Sequence, residues 1–354
     1  MSCQEDPLTP TTPNLQEHTA AVSEINFQGE VKSQLIGTLG GFDSDAEAIN
    51  NHGQVAGWST IDSGAFRAYM WDEHTGMVSL GTLGGEHSEA FDINDQSQVV
   101  GYSLIGSGHE HAFRWDEAGG MRDIGTLGGD HSRAYGTNSH GHVVGWSENA
   151  SGELRAFFWQ EGSGITDLGT LGGTESKAFD INGHGQIVGT SQNNSGDNHA
   201  VLWKNNHEIY DLGTLGGQTS TAHAINENGQ IVGESTNAFG SVRAFLWDET
   251  SGMTDLGSID DTVSEAFGIN DGGQVVGLSS AMRHNNAFLW DITEGIIDLG
   301  VIGESYIVAS HAKDINNTGQ VVGMSLNLRA GYTNGNAEDA IAGMWTFPVT
   351  GDKE

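Results

Sequence analysis

The residues best suited to chemistry lie near the end of the chain, where the sequence departs most from its own repeating pattern. Four of them form a reactive set: His311, Tyr306, Tyr332 and Arg329. An arginine neutralises the carboxylate of a uronic acid, and tyrosine or histidine then removes the neighbouring proton and protonates the leaving oxygen. The set therefore indicates the elimination chemistry of a polysaccharide lyase acting on a uronic-acid polysaccharide.

A second group of residues suits the binding of an anion. Arg67, Arg155 and Arg243 each stand four residues before a repeated tryptophan, and His111 and His199 take the same position in two other repeats. These side chains serve either as hydrogen-bond donors to neighbouring carbonyl groups or as contacts for an acidic ligand, and the sequence leaves both roles open. Four further residues are predicted on the same face of the molecule: Arg133, Lys177, Arg283 and His284.

Other chemistries have weaker support. Glu304 with Glu338 or Asp339 could form the carboxylate pair of a glycoside hydrolase, but such pairs are common in a chain with 47 acidic residues. Two His-x-His pairs each offer fewer ligands than a zinc site needs. The sequence contains no serine-hydrolase elbow, H-E-x-x-H motif, phosphate-binding loop or EF-hand loop. No cofactor is predicted, although the acidic surface would suit structural calcium.

The charge of the chain excludes two classes of partner. Its 354 residues carry a net charge of −34, from 47 acidic and 13 basic side chains. Such a chain repels nucleic acids and anionic membrane surfaces, so both are excluded as partners. The expected partner is a glycan, a uronic-acid or sulfated polysaccharide, which would pair at short range with the basic residues of the face described above. No run of about 18 apolar residues is present, so no membrane-spanning helix is predicted. A monomer is expected.

The elements that must position these residues are internal repeats. The five letters GTLGG begin at Gly37 and recur every 44 residues, and two altered copies follow, GSIDD from Gly257 and GVIGE from Gly300. Tryptophans and a Gly-Gln-Val-Val-Gly phrase recur in register with them, which makes seven units. The seventh unit is irregular: its tryptophan comes 55 residues after the previous one, and its two longer stretches, Gly300–Ala312 and Leu326–Ala342, contain all four residues of the reactive set. The alternative is that these stretches have a structural role and only cover the join between the two ends of the repeat array.

Each unit divides into four short strands. In the second unit these are predicted at Glu89–Asn94, Gln98–Ser103, His111–Trp115 and Met121–Leu127. Four strands in about 40–45 residues match one blade of a β-propeller. A further strand, Ser33–Leu39, precedes the first unit, and the last unit lacks its fourth strand. We therefore predict an all-β, seven-bladed β-propeller whose ring is closed when the N-terminal strand completes the last blade.

Most of the repeated side chains have structural roles in this prediction. The Thr-Leu of GTLGG would end the outermost strand, and Gly-Gly would let the chain turn to the next innermost strand. Seven repeated asparagines, from Asn50 to Asn316, would form Asx-turns, and the repeated tryptophans would pack between blades.

The N-terminal residues 1–30 are predicted to be a flexible tether. They are rich in proline and threonine, and Cys3, the single cysteine, stands at their start. This beginning resembles that of a bacterial lipoprotein, in which a lipid on Cys3 would attach the protein to a membrane; an incidental free thiol is the alternative. The propeller is predicted to span residues 31–348, followed by a short tail at 349–354.

The repeating set DLGTLGG…S-x-A…IN…GQVVG…HAF-x-W resembles the HAF family of extracellular repeats. The motif HAFRW occurs unchanged at His111–Trp115, and the resemblance covers about Ile36–Trp345. It implies a secreted or surface-attached bacterial protein with a propeller-like fold, and it implies no activity.

Three functions remain open at this point. The first is a glycan-binding propeller, in which near-identical units would bind a repetitive acidic polysaccharide at several places. The second is a lyase acting on such a polysaccharide through the irregular seventh unit, and the third is a scaffold for another protein. The first two differ in stoichiometry, because a multivalent ring binds several ligands per chain and an enzyme binds one.

Overall fold

The structure, a computed structural model, describes residues 32–204, 208–259, 263–280, 285–302, 307–328 and 338–346. Within these ranges the chain forms strands and turns and no α-helix, and hence no helix that could span a membrane. The strands form seven antiparallel, four-stranded sheets, the blades. The first strand of each blade contacts the first strand of the next, and these strands enclose a central channel. They are β2 (Ser44–Ile49), β6 (Gly84–Ile93), β10 (Gly128–Thr137), β14 (Gly172–Ile181), β18 (Gly216–Ile225), β22 (Val263–Ile269) and β26 (Ile307–Ile315).

The other strands follow outward in chain order. The second strands are β3 (Val55–Thr60), β7 (Val99–Ile105), β11 (Val143–Asn149), β15 (Ile187–Asn193), β19 (Ile231–Asn237), β23 (Val275–Ser280) and β27 (Gln320–Leu328). The third strands are β4 (Phe66–Asp72), β8 (Glu110–Asp116), β12 (Leu154–Gln160), β16 (Asn198–Lys204), β20 (Val242–Asp248), β24 (Asn285–Asp291) and β28 (Glu338–Thr346). The outermost strands are β5 (Gly76–Ser79), β9 (Gly120–Gly125), β13 (Gly164–Asp167), β17 (Glu208–Asp211), β21 (Gly252–Gly257), β25 (Gly295–Gly300) and, for the seventh blade, β1 (Lys32–Leu35).

The ring is closed as the sequence predicts. The seventh blade has the strand order β1-β28-β27-β26, so its outer strand comes from the N-terminal side of the chain and the other three from the C-terminal side. Strand β1 runs antiparallel to β28, with Lys32 opposite Thr346 and Leu35 opposite Gly343. The all-β, seven-bladed prediction is confirmed.

The hydrophobic core consists of seven clusters, one between each pair of neighbouring blades. Between the third and fourth blades, for example, Val144 and Ala156 pack against Ile187 and Trp203, and Trp203 is fully buried. Each repeated tryptophan packs in the cluster between its own blade and the preceding one, which confirms the predicted packing role. Because each cluster needs two blades, no blade buries its apolar face alone.

Two rings of hydrogen bonds join every blade to the next. At one end of the innermost strands, a serine hydroxyl accepts from an alanine N–H of the preceding blade, as Ser132 does from Ala112 at 2.9 Å, and donates to a glycine carbonyl. At the other end, an asparagine donates to the backbone oxygen of the next blade's asparagine, and the chain of seven closes when Asn316 donates to Asn50 at 3.0 Å. The predicted Asx-turns are also present.

The GTLGG phrase forms the crossing between blades, with one difference from the prediction. Strand β9 ends at Gly125, so Thr126 and Leu127 belong to the crossing and not to the outermost strand. The Thr126 hydroxyl donates to the Gly129 carbonyl at 2.8 Å and ties the crossing together. In the preceding crossing, Gly84 has a φ of 105° and a Cβ on Gly85 would lie 2.5 Å from that of Leu104, so both positions require glycine.

Candidate binding site at the mouth of the central channel

The central channel is narrowed at mid-height by a layer of side chains that we call the girdle. Five of its members are aromatic and lie on consecutive blades, with neighbouring ring centroids 4.8–5.6 Å apart. The layer is completed by an ion pair in which Lys313 Nζ lies 3.3 Å from Glu47 Oε2. The girdle consists of Glu47, Phe91, Tyr135, Phe179, His223, Phe267 and Lys313.

The candidate site, which we call the channel mouth, lies two residues earlier on the same strands. Each innermost strand begins just after the crossing from the preceding blade, so this earlier layer stands above the girdle on the face where the chain crosses between blades. We call this the upper face; it carries the crossings and the loops between second and third strands. The channel mouth consists of Asp45, Glu89, Arg133, Lys177, Thr221, Glu265 and His311.

The positive charge of Arg133 is paired with a carboxylate of the protein itself. Its guanidinium group donates two hydrogen bonds of 2.7 Å to the Glu110 carboxylate and lies 4.2 Å from the centroid of Tyr102. Although burial opposes the charge, the bond to Glu110 raises the pKa of Arg133 above its usual value. The Tyr102 hydroxyl in turn donates to Glu89 at 2.7 Å. Arg133 therefore supports the wall of the channel mouth and has its charge already paired.

Lys177 is different, because no carboxylate in the described ranges lies within 4 Å of its ammonium group. Its Nζ lies 5.9 Å from the Trp146 ring centroid, and the Arg133 guanidinium lies at the same distance from that ring. Both Lys177 and Trp146 are partly buried. In a chain of net charge −34, a partly buried lysine without a carboxylate partner is available to an anionic ligand.

Two carboxylates stand on the next blades with no partner of opposite charge among the described residues. Glu234 lies on the second strand of the fifth blade, opposite Thr221 in the strand register, and Glu265 lies on the innermost strand of the sixth. Burial, and then repulsion from Glu265, raises the pKa of Glu234 to about 7. Burial also raises the pKa of Glu265. Neither carboxylate accepts a hydrogen bond from the described residues, so both are held where ionisation is disfavoured.

The first and seventh blades hold a separate charged cluster. Lys313 Nζ contacts Glu47 at 3.3 Å and Asp45 at 3.9 Å, and Asp45 is nearly fully buried. Burial and the Lys313 charge lower the pKa of the adjacent His311, which therefore stays neutral at pH 7. Its Nε2 lies 3.4 Å from Asn285 Nδ2. The structure thus places His311, the histidine of the predicted reactive set, on an innermost strand facing the channel.

The predicted ligand contacts that precede the tryptophans all have partners within the chain. Arg155 contacts Glu153 at 3.0 Å, Arg67 donates to the carbonyl of Glu86, and Arg243 donates to the Ser258 hydroxyl. His111 pairs with Asp123 at 2.8 Å and His199 with Asp211 at 2.9 Å. These contacts match the internal role that the sequence left open, and a ligand would have to compete with them.

Several predicted residues lie outside the described ranges: Tyr306, Arg329, Tyr332, Arg283, His284 and Glu304. Glu338 and Asp339 lie in β28 on the last blade. Within the described ranges, no three His, Cys, Asp or Glu side chains are grouped to hold a metal ion.

A cavity of about 730 Å³ lies on the opposite, lower face, between the fourth and fifth blades. Four of its charged groups form two pairs: Lys204 with Glu249 at 3.3 Å and His184 with Glu227 at 3.0 Å. The channel mouth is the better candidate, because two of its charged groups, Lys177 and Glu265, have no ion pair or hydrogen bond within the described residues.

Sequence reasoning missed Glu234, Thr221, Glu265 and Trp146, but one signal could have found part of the site. Between the repeated serine and alanine of each unit stands a residue that changes from blade to blade, as Asp, Glu, Arg, Lys, Thr, Glu and His. A position that varies between two constant ones is not needed for the structural contacts that every repeat makes. It marks the channel-mouth layer.

Comparison with known proteins shows the fold alone. No family model and no curated protein matches the chain. The β-propeller domain of the Trilobed protease from Pyrococcus furiosus is similar with a TM-score of 0.58 and 11% identity, over 86% of this chain and 92% of that one. That domain is described as having an open velcro topology, whereas β1 closes the ring here.

Two further solved structures are similar in the same way. Puromycin hydrolase gives a TM-score of 0.55 with 11% identity, over 87% of this chain and 54% of that one. TolB from Acinetobacter baumannii gives 0.50 with 12% identity, over 71% of this chain and 65% of that one. This chain therefore spans about half and somewhat under two thirds of those proteins, and likenesses at such identities show the propeller architecture alone.

Proposed function

We propose that this protein is a secreted or surface-attached bacterial propeller of the HAF-repeat type that binds an acidic glycan at its channel mouth. The observation that supports the proposal most is Lys177, a partly buried lysine beside Trp146 with no carboxylate within 4 Å in the described part of the chain. A sugar carboxylate can pair with the ammonium group while its ring contacts an aromatic face. The net charge of −34 would repel a polyanion at long range, so the contact must act at short range.

A catalytic alternative is favoured by His311. Its lowered pKa keeps it neutral at pH 7, as a general base requires, and Lys313 stands two residues further along the same strand. Acidic partners already occupy Lys313, however, at 3.3 and 3.9 Å. We therefore place binding first and elimination second.

The direct test is the binding of short uronic-acid oligosaccharides by isothermal titration calorimetry. The substitution Lys177→Met removes the charge and keeps an apolar stem of similar length. We expect it to weaken binding at least about tenfold, the loss of roughly one charge-assisted hydrogen bond. Absorbance of unsaturated sugar ends, followed in the same samples, reports elimination if His311 acts as a base.

Lys204→Met is the matched control. Lys204 also lies beside an aromatic ring, 5.6 Å from Tyr210, but it is on the lower face and paired with Glu249. It should bind as the wild type does. Equal affinity of the Lys177 variant and the wild type would refute the proposed site.

A further inference from the structure

One sector of the channel mouth combines both signs of charge. Lys177, Thr221 and Glu265 occupy equivalent positions on the innermost strands of three consecutive blades, and Glu234 stands opposite Thr221 in the strand register. Within the described residues, none of these four side chains makes a hydrogen bond or an ion pair. Each is partly buried.

This arrangement favours a ligand with groups of both charges over a ligand of one charge only. Lys177 and Glu265 stand two blades apart in the same layer, so a ligand long enough to reach both positions meets one charge of each sign. A ligand that carries an acid and an ammonium group satisfies both sides. The hydroxyl of Thr221, between them, can bond to either group.

The floor of this sector contains a polar atom that also has no hydrogen-bond partner among the described residues. His223 lies two residues after Thr221 on the same strand, between the rings of Phe179 and Phe267. Its Nε2 atom is buried and makes no hydrogen bond to the described residues. A buried polar atom of this kind is normally satisfied, so an atom of a bound molecule, or water, is expected beside it.

Resting on the proposed function, we propose that the channel mouth is selective for a zwitterionic glycan. Lys177 binds a sugar carboxylate, and Glu234 with Glu265 binds the ammonium group of a neighbouring amino sugar. The ligand class is thus an oligosaccharide in which uronic acid alternates with an amino sugar that is not acetylated.

The test uses two probes that differ at one group: hyaluronan tetrasaccharide and its de-N-acetylated form. We expect the wild type to bind the de-N-acetylated probe about tenfold more tightly at neutral pH. The double variant Glu234→Gln/Glu265→Gln should lose that preference and still bind the acetylated probe. Glu175→Gln, at an exposed position on the upper face, is the matched control and should keep the preference.

The outcomes separate the two proposals. Equal affinity for both probes in the wild type, or an unchanged preference in the double variant, overturns the zwitterion inference and leaves acid binding intact. If Lys177→Met still prefers the de-N-acetylated probe and binds the acetylated probe as tightly as the wild type does, the role of Lys177 is overturned. Binding of neither probe overturns both.

Discussion

The carboxyl groups of Glu234 and Glu265 lie in positions where burial disfavours their ionised form. Burial raises both pKa values, and the pKa of Glu234 is raised to about 7, so ionisation of these groups opposes folding. Glutamines would fill the same volume without this penalty. Retaining charged groups that destabilise a protein is typical of sites selected for binding.

Glu234 therefore makes the free energy of unfolding depend on pH. Because the folded pKa of Glu234 lies above its unfolded value, the protonated form favours folding, and this contribution is lost as the pH rises from about 4.5 to about 7. Glu234→Gln should stabilise the protein at pH 8 by roughly 1–2 kcal/mol and change little at pH 4. Urea denaturation at the two pH values measures the difference, and a destabilised variant at pH 8 would show that Glu234 has a favourable partner.

The sequence located the basic residues of the upper face but not their pairing. Arg133 and Lys177 occupy equivalent positions on neighbouring blades and look alike in the repeats. Only the folded chain brings Glu110 to Arg133, at 2.7 Å, and leaves Lys177 without such a partner in the described ranges. Pairing between blades depends on side chains that come from distant parts of the sequence, and spacing does not encode it.

At the scale of the elements, the innermost strand performs two tasks. Its serine and asparagine join adjacent blades at either end, and these residues are constant through all seven units. Between them, the channel-mouth and girdle positions vary, whereas the alanine that separates these two positions is constant and buried between blades. A β-bulge after the alanine, as between Ala134 and Gly136, lets one strand serve both the inter-blade cluster and the channel.

The asparagine ring gives a prediction for this element. The Asn182 side chain accepts from the backbone of His184 and Gln186 and donates to Gln186 Oε1 and to the Asn226 carbonyl. Asn182→Ala removes all four bonds and leaves buried backbone groups unpaired, so unfolding free energy should fall by about 2–4 kcal/mol. Chemical denaturation measures it. Asn194→Ala, at an exposed loop position, should change stability by less than about 0.5 kcal/mol, and an equally small effect at Asn182 would make the ring dispensable.

Strand number and order could be predicted from the sequence because the repeat aligns seven examples of one unit. The Asx-turns could too, since they are local. The asparagine ring could not, because its donor in one blade and acceptor in the next lie 44 residues apart in most pairs. The prediction that the Thr-Leu of GTLGG ends the outermost strand was wrong for a related reason. Leu127 pairs with the distant Asn149 through an isolated bridge, outside the regular ladder of the sheet.

At the scale of the whole molecule, closure of the ring arranges seven similar blades around one channel whose lining differs from blade to blade. Strand β1 completes the last blade, so all seven innermost strands are fixed around one axis. The repeated structural residues make the blades alike, and the channel-facing positions make them different. The inter-blade arginines and histidines repeat, but partners within the chain engage them. We therefore expect a ligand that uses the channel to bind at one place.

Stoichiometry tests this central claim most directly. Isothermal titration calorimetry with a short acidic oligosaccharide, too small to bridge blades, should give one bound ligand per chain, and Lys177→Met should abolish or greatly weaken that event. Several equivalent ligands per chain, unaffected by Lys177→Met, would place binding in the repeated grooves between blades and contradict a single site at the channel mouth.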